Sequence, residues 1–352
     1  MSEDTTVFCG VDIADRASQM VVIDHDGQVL EQSRVRTTPE AMKRFFGSRS
    51  PMRVAMEVGT HSPWLSRLVA ACGHEVHVAN ARKLRFIFQN ERKSDQNDAE
   101  LLARVARFDP QLLCTISHVA ETDQAARAVL RTRDVLVRSR VQLINHVRGV
   151  VKAFGQQLPR CSTASFPRLW PVVPEAVQPA LAPLFSTLET INAGIVALEV
   201  QLEQLIQQQY PEAQHLQQIP GVGPVTSLAF VLAIGDPGRF RSCRAVGAYL
   251  GLVPRRSQTG ECDPQLRISK TGSPAMRRLL VNCAHRILGQ FGHDCALRRA
   301  GERIAARGGK SAKKRAAVAV ARRLAVVMLS LLRSGQDYEP FHGQMVAESA
   351  ES

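Results

Sequence analysis

Four acidic side chains stand at positions from which they could share divalent cations. Asp12 and Glu57 each end a short apolar run that is typical of a buried strand. Asp95 and Asp98 stand three residues apart at the start of a helical pattern, where they can share one face. Carboxylate oxygens suit hard cations such as Mg²⁺ or Mn²⁺. The group predicts metal-assisted phosphodiester chemistry, in which two ions stabilise the attacking and leaving oxygens.

Each of these acids also has a structural alternative. Asp95 or Asp98 could cap the helix and interact with its positive end, and Asp12 could be a turn residue at a strand end. A carboxylate at the end of a buried run costs free energy unless it is paired or bound. The four acids together favour metal binding over four separate structural roles.

A second candidate centre is Ser269, which stands near Arg267 and Lys270. Ser273 and Pro274 form a good helix entry, with the serine as N-cap, so Ser269 is predicted to lie in the preceding loop. Neighbouring cations can stabilise the charge that develops when a hydroxyl attacks a phosphodiester. A lone serine is nevertheless seldom catalytic, so these residues leave a structural role open.

A glycine pair marks a third candidate, this time for binding. Gly221 and Gly223 lie between two helical stretches and resemble a helix-hairpin-helix element, whose backbone N–H groups approach phosphate at a helix start. A simple tight turn is the alternative.

The charge balance predicts a polyanionic partner. The chain of 352 residues carries 45 Lys and Arg against 32 Asp and Glu, a net charge of +13. Nucleic acid is the first expectation and an anionic membrane a distant second. Much of the positive excess lies in a basic run over residues 298–333, which is predicted to bind nucleic acid. A solvated charged surface is the alternative. Within this run, Gly308-Gly309-Lys310-Ser311 lacks the preceding strand and spaced glycine of an ATP-binding loop. The cations predicted to contact nucleic acid are Arg255, Arg256, Arg267, Lys270, Arg277, Arg278, Lys310, Lys313, Lys314 and Arg315.

The elements that must position these residues begin with a mixed α/β sheet. Three apolar runs in a meander are followed by two that alternate with helical stretches, which argues for such a sheet. The Asp26-Gly27 pair predicts a hairpin turn between the second and third strands. The predicted strands cover residues 7–12, 20–24, 28–35, 53–58 and 75–79.

A helical region follows the sheet. Residues 122–154 are helical and basic, and residues 155–183 contain a proline cluster that predicts a break. Residues 184–209 place apolar side chains at alternating spacings of four and three, which predicts a coiled coil within the chain or between chains. An ordinary packed helix is the alternative. The C-terminal region is predicted to be mainly α-helical.

Several protein classes are disfavoured. We find no apolar run of about 18 residues, the length that a membrane span requires, and the polar start of the chain does not resemble a signal peptide. Eight cysteines without a CxxC pair argue against zinc ribbons and fit a cytosolic protein.

The acidic segments at residues 10–14, 56–60 and 95–99 resemble the DEDD tetrad of RuvC-like nucleases, which have the ribonuclease-H fold. They are most similar to the N-terminal domain of the IS110 family of transposases, also called bridge-RNA-guided recombinases. Residues 267–272, with Arg277 and Arg278 downstream, are similar to the C-terminal transposase domain of the same family. The proline-rich segment at 155–183 departs from the family pattern.

The resemblance implies a DNA recombinase. Ser269 is then the nucleophile that forms a phosphoserine link to DNA, and Asp12, Glu57, Asp95 and Asp98 bind Mg²⁺ or Mn²⁺. Implied partners are donor DNA, target DNA, a structured bridge RNA and further copies of the chain, as a dimer or tetramer whose subunits combine the two centres. The implied location is the bacterial cytoplasm, in association with the nucleoid.

Two other functions fit the same residues: a metal-only RuvC-like junction endonuclease with an inert Ser269, and a non-catalytic nucleic-acid-binding scaffold. Asp12 and Asp26-Gly27 also resemble the opening segment of actin-like ATPases. The sequence lacks the further glycine-rich phosphate loops that the actin-like fold needs, so this reading is disfavoured. The predicted domains are a RuvC-like DEDD domain over 1–117, a helical coiled-coil region over 118–210, a transposase domain over 211–340 and a tail over 341–352.

Overall fold

The computed structural model describes residues 7–80, 94–258 and 266–341. Its contacts divide the chain into two compact units, Met1–Ala120 and Glu121–Ser352. The predicted boundary at residue 210 within the second unit stays a prediction, and nearly all of the predicted tail lies outside the described residues.

A mixed five-stranded sheet forms the first unit, with strand order β3-β2-β1-β4-β5. The strands β1, β2 and β3 form an antiparallel meander, whereas β1, β4 and β5 run parallel. Gly27 adopts φ of 82° in the predicted hairpin turn. All five strands were predicted, and the architecture is compatible with the RuvC-like expectation. Their bounds are Val7–Asp12, Ala17–Asp24, Val29–Arg36, Arg53–Glu57 and Glu75–Ala79.

Helices cover both faces of this sheet. On one face, α1 (Pro39–Gly47) and α2 (Ser62–Ala71) bury an apolar core against alternate residues of the central strands. On the other face lies α3 (Asp95–Phe108), which packs closely on β1. A Cβ atom at Gly10 would overlap the carbonyl oxygen of Ala99, so only glycine allows this approach.

A long helical hairpin opens the second unit. The helix α4 (Glu121–Ala153) packs against α5 (Gln178–Gln209), and short 3₁₀ turns over Phe166–Val172 and Glu175–Val177 lie between them. Both helices were predicted, but α5 begins earlier than expected and includes Pro183. Pro179 lies in the first turn, where proline is tolerated, and Pro183 lies inside the helix, so the proline cluster does not exclude helix throughout. The packing is within one chain, and a coiled coil between chains stays a prediction.

The rest of the second unit is helical in the described residues, and the helix α11 (Ala312–Ser334) lies at its centre. Val320, Leu324 and Met328 of α11 are fully buried. The helices α9 (Pro274–Leu288) and α10 (Ala296–Ala306) both pack on α11. The apolar face of α11 therefore organises the core, while its basic residues remain outside. The helices are α6 (Pro211–Leu216), α7 (Pro224–Ile234), α8 (Ala245–Tyr249), α9 (Pro274–Leu288), α10 (Ala296–Ala306) and α11 (Ala312–Ser334).

One helical stretch, Glu175–Gln209, is long and apolar enough to cross a membrane by length and composition. The sequence analysis expected no such stretch. The observation is weak, because a helix that packs in a protein core passes the same test, and α5 packs against α4.

Candidate active site

The strand pairing brings Asp12 and Glu57 to one edge of the sheet. In the parallel pair of β1 and β4, Val11 lies opposite Met56, so each acid follows as the last residue of its strand. Side chains alternate across a sheet, and Val11 and Met56 both belong to the core under α1 and α2. Asp12 and Glu57 therefore lie on the opposite face, which α3 covers.

The direction of α3 brings the other two acids to the same edge. Near the end of α3, the Ala106 carbonyl accepts a hydrogen bond of 3.2 Å from Arg53, the first residue of β4. The helix therefore runs antiparallel to β4, and its first turn, with Asp95 and Asp98, points toward the strand ends. The alternative that either aspartate is the N-cap is wrong, because Ser94 holds that position and accepts from Asn97 N at 3.2 Å.

This acidic edge has the donor chemistry for Mg²⁺ or Mn²⁺ but does not form a closed cage. Within residues 7–80, 94–258 and 266–341, no three His, Cys, Asp or Glu side chains gather closely enough to hold one ion. Asp12 and Asp98 are half-buried, whereas Glu57 and Asp95 are exposed. The expected burial cost therefore does not apply to Glu57. All-oxygen ligands on one face fit a hard cation whose remaining ligands are water or phosphate.

A histidine beside this edge was missed by the sequence analysis. His61 Nε2 lies 3.2 Å from Asp15 Oδ1, and the indole N–H of Trp64 donates to His61 Nδ1 at 3.1 Å. Because an indole can only donate, His61 Nδ1 is the acceptor in this contact, and Nε2 faces the carboxylate of Asp15. Nothing in the spacing after Glu57 predicts this orientation.

The turn after Glu57 is held by a buried serine. Ser62 Oγ accepts from Gly59 N at 3.0 Å and lies 2.9 Å from His118 Nε2. Burial lowers the pKa of His118, and the charge of Arg67 lowers it further. The hydrogen bonds fix the path of the chain that leaves the acidic edge.

Backbone contacts hold Ser269 in a tight loop of the second unit. Ser269 N donates to Val253 O at 2.8 Å, and Lys270 N donates to Gly251 O at 3.1 Å. Lys270 has φ of 58°, a left-handed conformation that is unusual for a residue with a side chain. Ser269 is half-buried, and Ser273 caps α9 as predicted. The loop is a rigid platform for the serine.

The direction of the Ser269 hydroxyl follows from counting protons. Ser269 Oγ lies 3.0 Å from Thr271 Oγ1, and Thr271 donates its single proton to the Ala248 carbonyl at 3.2 Å. Ser269 must therefore donate to Thr271. With that donation, the lone pairs of Ser269 Oγ lie on the side away from Thr271. The sequence analysis did not identify Thr271 as a site residue.

Two of the predicted nucleic-acid contacts, Arg277 and Arg278, have partners on other segments of the second unit. Nη1 of Arg277 donates to the carbonyl oxygens of Leu250, Thr271 and Gly272. This side chain therefore links the Ser269 loop to Leu250. Arg278 forms an ion pair of 2.5 Å with Asp134. Any phosphate contact by these two side chains must use their other donors.

A groove of about 1450 Å³ opens beside the Ser269 loop. Arg267, Lys270, Lys314 and Arg315, all predicted contacts, lie along it, and its floor is apolar, with Val318 and Val326 of α11. Arg244 also lines the groove, and the sequence analysis missed it. The remaining predicted cations are exposed: Arg255, Arg256, Lys310 and Lys313.

The glycine pair lies between two helices, α6 and α7, as predicted, and its role as a helix-hairpin-helix element stays a prediction. Gly221 adopts φ of 93°, and Gly223 precedes α7 without a side-chain cap. A Cβ atom at Gly221 would lie 3.2 Å from Ile287 Cγ1, so the hairpin packs closely on α9. Contact of its N–H groups with phosphate stays a prediction.

Two family models match the chain. A transposase model for the DEDD domain of IS110 matches residues 9–155, and a model described as Transposase IS116/IS110/IS902 family matches residues 213–299. The first match includes Asp12, Glu57, Asp95 and Asp98, and the second includes Ser269.

Curated relatives agree with these models. The transposase for insertion sequence element IS1328 from Yersinia enterocolitica is 30% identical over 280 residues, which cover 78% of this chain and 82% of that protein. The transposase for insertion sequence element IS1111A from Coxiella burnetii is 28% identical over 291 residues, or 79% of this chain and 77% of that protein. A pilin gene-inverting protein from Moraxella bovis is 30% identical over 151 residues, or 42% of this chain and 45% of that protein. The fold of the first unit, the paired acidic strand ends and these matches together show that the chain belongs to the IS110 family of transposases.

Proposed function

We propose that this transposase cuts and exchanges DNA strands through a phosphoserine intermediate on Ser269. The observation that carries the proposal is the position of Ser269 in a loop fixed by backbone hydrogen bonds, between Arg267 and Lys270 in the chain and with its hydroxyl oxygen 3.0 Å from that of Thr271. The adjacent cationic groove supports the proposal, because it can hold a phosphate backbone next to this hydroxyl.

The proposed step is a substitution at phosphorus. Ser269 Oγ forms a bond to the scissile phosphorus, the bond to the leaving deoxyribose oxygen breaks, and the serine proton passes to a base or to water. The leaving oxygen takes a proton. A hydroxyl end of the second DNA then attacks the phosphoserine and releases the serine, which conserves the energy of the phosphodiester bond. Lys270 and Arg267 stabilise the charge on the phosphorane oxygens.

Asp12, Glu57, Asp95 and Asp98 would hold Mg²⁺ or Mn²⁺ at the acidic edge. When bound, these ions supply positive charge for the attacking and leaving oxygens. The support is that β1 and β4, which end in Asp12 and Glu57, finish at one edge of the sheet, and that the first turn of α3, with Asp95 and Asp98, points toward that edge. A metal-only endonuclease is the second candidate, since this acidic edge alone has the ligands that such an enzyme needs.

We also propose that a structured bridge RNA selects donor and target DNA, and that two or four copies assemble for exchange in the bacterial cytosol. The net charge of +13 supports a nucleic-acid partner. The pilin gene-inverting relative supports recombination, since gene inversion rearranges DNA. Sequencing the nucleic acid that co-purifies with the protein tests the guide, and random fragments instead of one discrete RNA would contradict it.

The main experiment traps the covalent intermediate. Wild-type protein with Mg²⁺ and DNA that carries the element's ends should yield a protein–DNA adduct that survives denaturation by detergent. Ser269→Ala should lose both the adduct and cleavage, whereas Ser273→Ala, which removes only a helix cap, should keep them. Strand cleavage by Ser269→Ala would support the metal-only enzyme.

The acids are tested in the same assay. Asp12→Asn should abolish the metal-dependent activity, and Asp26→Asn, which changes an exposed turn acid, should not. Unchanged recombination by Asp12→Asn would contradict the metal proposal and favour the scaffold.

A further inference from the structure

An unusually exposed aromatic side chain lies in the turn between α9 and α10. Phe291 is 87% exposed, more than any other large hydrophobic side chain of the described residues. A phenylalanine in water forgoes the stabilisation that burial gives. Its position therefore calls for a binding explanation.

The turn that presents Phe291 is rigid. Nη1 of Arg298 donates to the carbonyl oxygens of Ile287, Gly289 and Gly292 at 3.0, 2.8 and 2.9 Å. Gly292 N donates to Gly289 O at 3.0 Å, and a Cβ atom at Gly292 would overlap the Ile287 carbonyl. The exposed ring thus projects from a braced turn, so its exposure is built into the fold.

A small pocket lies next to this ring. It has a volume of about 240 Å³, and Phe291, Pro220, Gly221 and Ile287 contribute to its wall. Pockets for small molecules usually have roughly 300–1,000 Å³. The smaller volume suits one flat ring system rather than a complete small-molecule ligand. The glycine hairpin forms one side of the pocket.

The charge around the pocket is positive. Arg286 and His293 line it and are exposed, and its described lining contains no carboxylate. The neighbouring Asp294 forms an ion pair of 2.7 Å with Arg299, which neutralises the acid. A small pocket with an aromatic ring and an arginine in its wall matches a nucleobase with its phosphate. An apolar protein side chain would not require the cation.

We propose that Phe291 stacks on an unpaired base of the DNA substrate, that the pocket receives this base, and that Arg286 contacts the adjacent phosphate. DNA is the partner because the chain belongs to a transposase family. The proposal rests on the DNA-binding part of the proposed function and is independent of the chemistry at Ser269. Base stacking on an exposed ring is tolerant of sequence, so the site would recognise an unpaired base of any type.

The test measures binding in the Ser269→Ala background, so that cleavage does not alter the probe. The probes are a short fluorescein-labelled DNA duplex with one bulged thymine and the same duplex fully paired. We expect the bulged DNA to bind roughly 5- to 150-fold more tightly. Phe291→Ala should remove this preference and leave the affinity for paired DNA unchanged, while Phe291→Tyr should keep it.

The matched control is Phe108→Ala, because Phe108 is 79% exposed but lies far along the chain. It should keep the preference. Retention of the preference by Phe291→Ala or full rescue by Phe291→Leu would overturn the stacking proposal, and so would equal binding of the bulged and the paired DNA by the Ser269→Ala protein. Loss of binding to both DNA probes by the Ser269→Ala protein itself would instead refute DNA binding, and with it the proposed function.

Discussion

At the scale of single residues, the proposed chemistry depends on one proton. The Thr271 hydroxyl is committed to the Ala248 carbonyl and can only accept from Ser269. When Ser269 loses its proton, Thr271 can rotate and donate to the resulting alkoxide instead. Thr271 is therefore a positioning residue that orients the nucleophile and then stabilises its charge.

Replacing Thr271 by valine tests this role. Thr271→Val keeps the branched shape but removes the hydrogen bond, which is worth about 0.5–1.5 kcal/mol. We expect adduct formation to slow by roughly 2- to 10-fold with unchanged affinity for DNA. Thr271→Ser should restore the rate, and Thr187→Val, at an exposed threonine of α5, should have no effect. An equal loss of DNA affinity would indicate a structural role only.

The sequence predicts the identity of the candidate site residues better than it predicts what their side chains contact. Ser269 in a loop and Asp95 at a helix start follow from local capping signals. The contacts of Arg277 do not, because this side chain joins the carbonyl of Leu250, 27 residues away, to those of Thr271 and Gly272 in the Ser269 loop. Arg298 belongs to a basic run, yet its Nη1 donates to carbonyls of the preceding turn, which a pattern of charge does not predict.

At the scale of elements, the acidic edge depends on how closely α3 approaches β1. The absence of a side chain at Gly10 lets the backbone of α3 sit directly on the strand. Ala99 and Ala103, both fully buried, complete this contact. The first turn of α3 holds Asp95 and Asp98, so the packing sets their distance from the strand ends.

Gly10→Ala should therefore displace α3. We expect a loss of about 2 kcal/mol or more in the free energy of unfolding, since overpacked sites rarely relax fully. Urea denaturation followed by circular dichroism measures this loss. Gly47→Ala is the matched control in the same unit, because a Cβ atom there meets only Cys72 Sγ at 4.0 Å. Equal stability of both variants would contradict the close packing.

The strands were predictable because alternating apolar residues fix the face that each strand buries. The long helices α4 and α5 were predictable from their periodicity, but the details of their packing were not. Val141 of α4 is 41% exposed, whereas Val147, less than two turns further along, is fully buried. Over a helix of this length the burial follows local neighbours, which periodicity alone does not identify.

At the scale of the whole molecule, part of the charge excess lies in the groove beside Ser269, whose lining has seven Lys and Arg against Asp337 and Glu339. The groove beside Ser269 carries cations from three segments, including Arg322 and Arg323 of α11. Cations along an apolar floor can neutralise a phosphate backbone and release its counterions. Binding should then depend steeply on salt.

A salt titration with paired variants tests whether the groove is the DNA path. Each phosphate contact contributes about 0.9 to the slope of log affinity against log salt concentration. Arg322→Gln combined with Arg323→Gln should reduce the steepness of this salt dependence by about 2 if both arginines bind phosphate. Arg160→Gln combined with Arg168→Gln removes two exposed arginines outside the groove and should leave the slope unchanged. An equal change in both double variants would mean that the total charge, rather than the groove, attracts DNA.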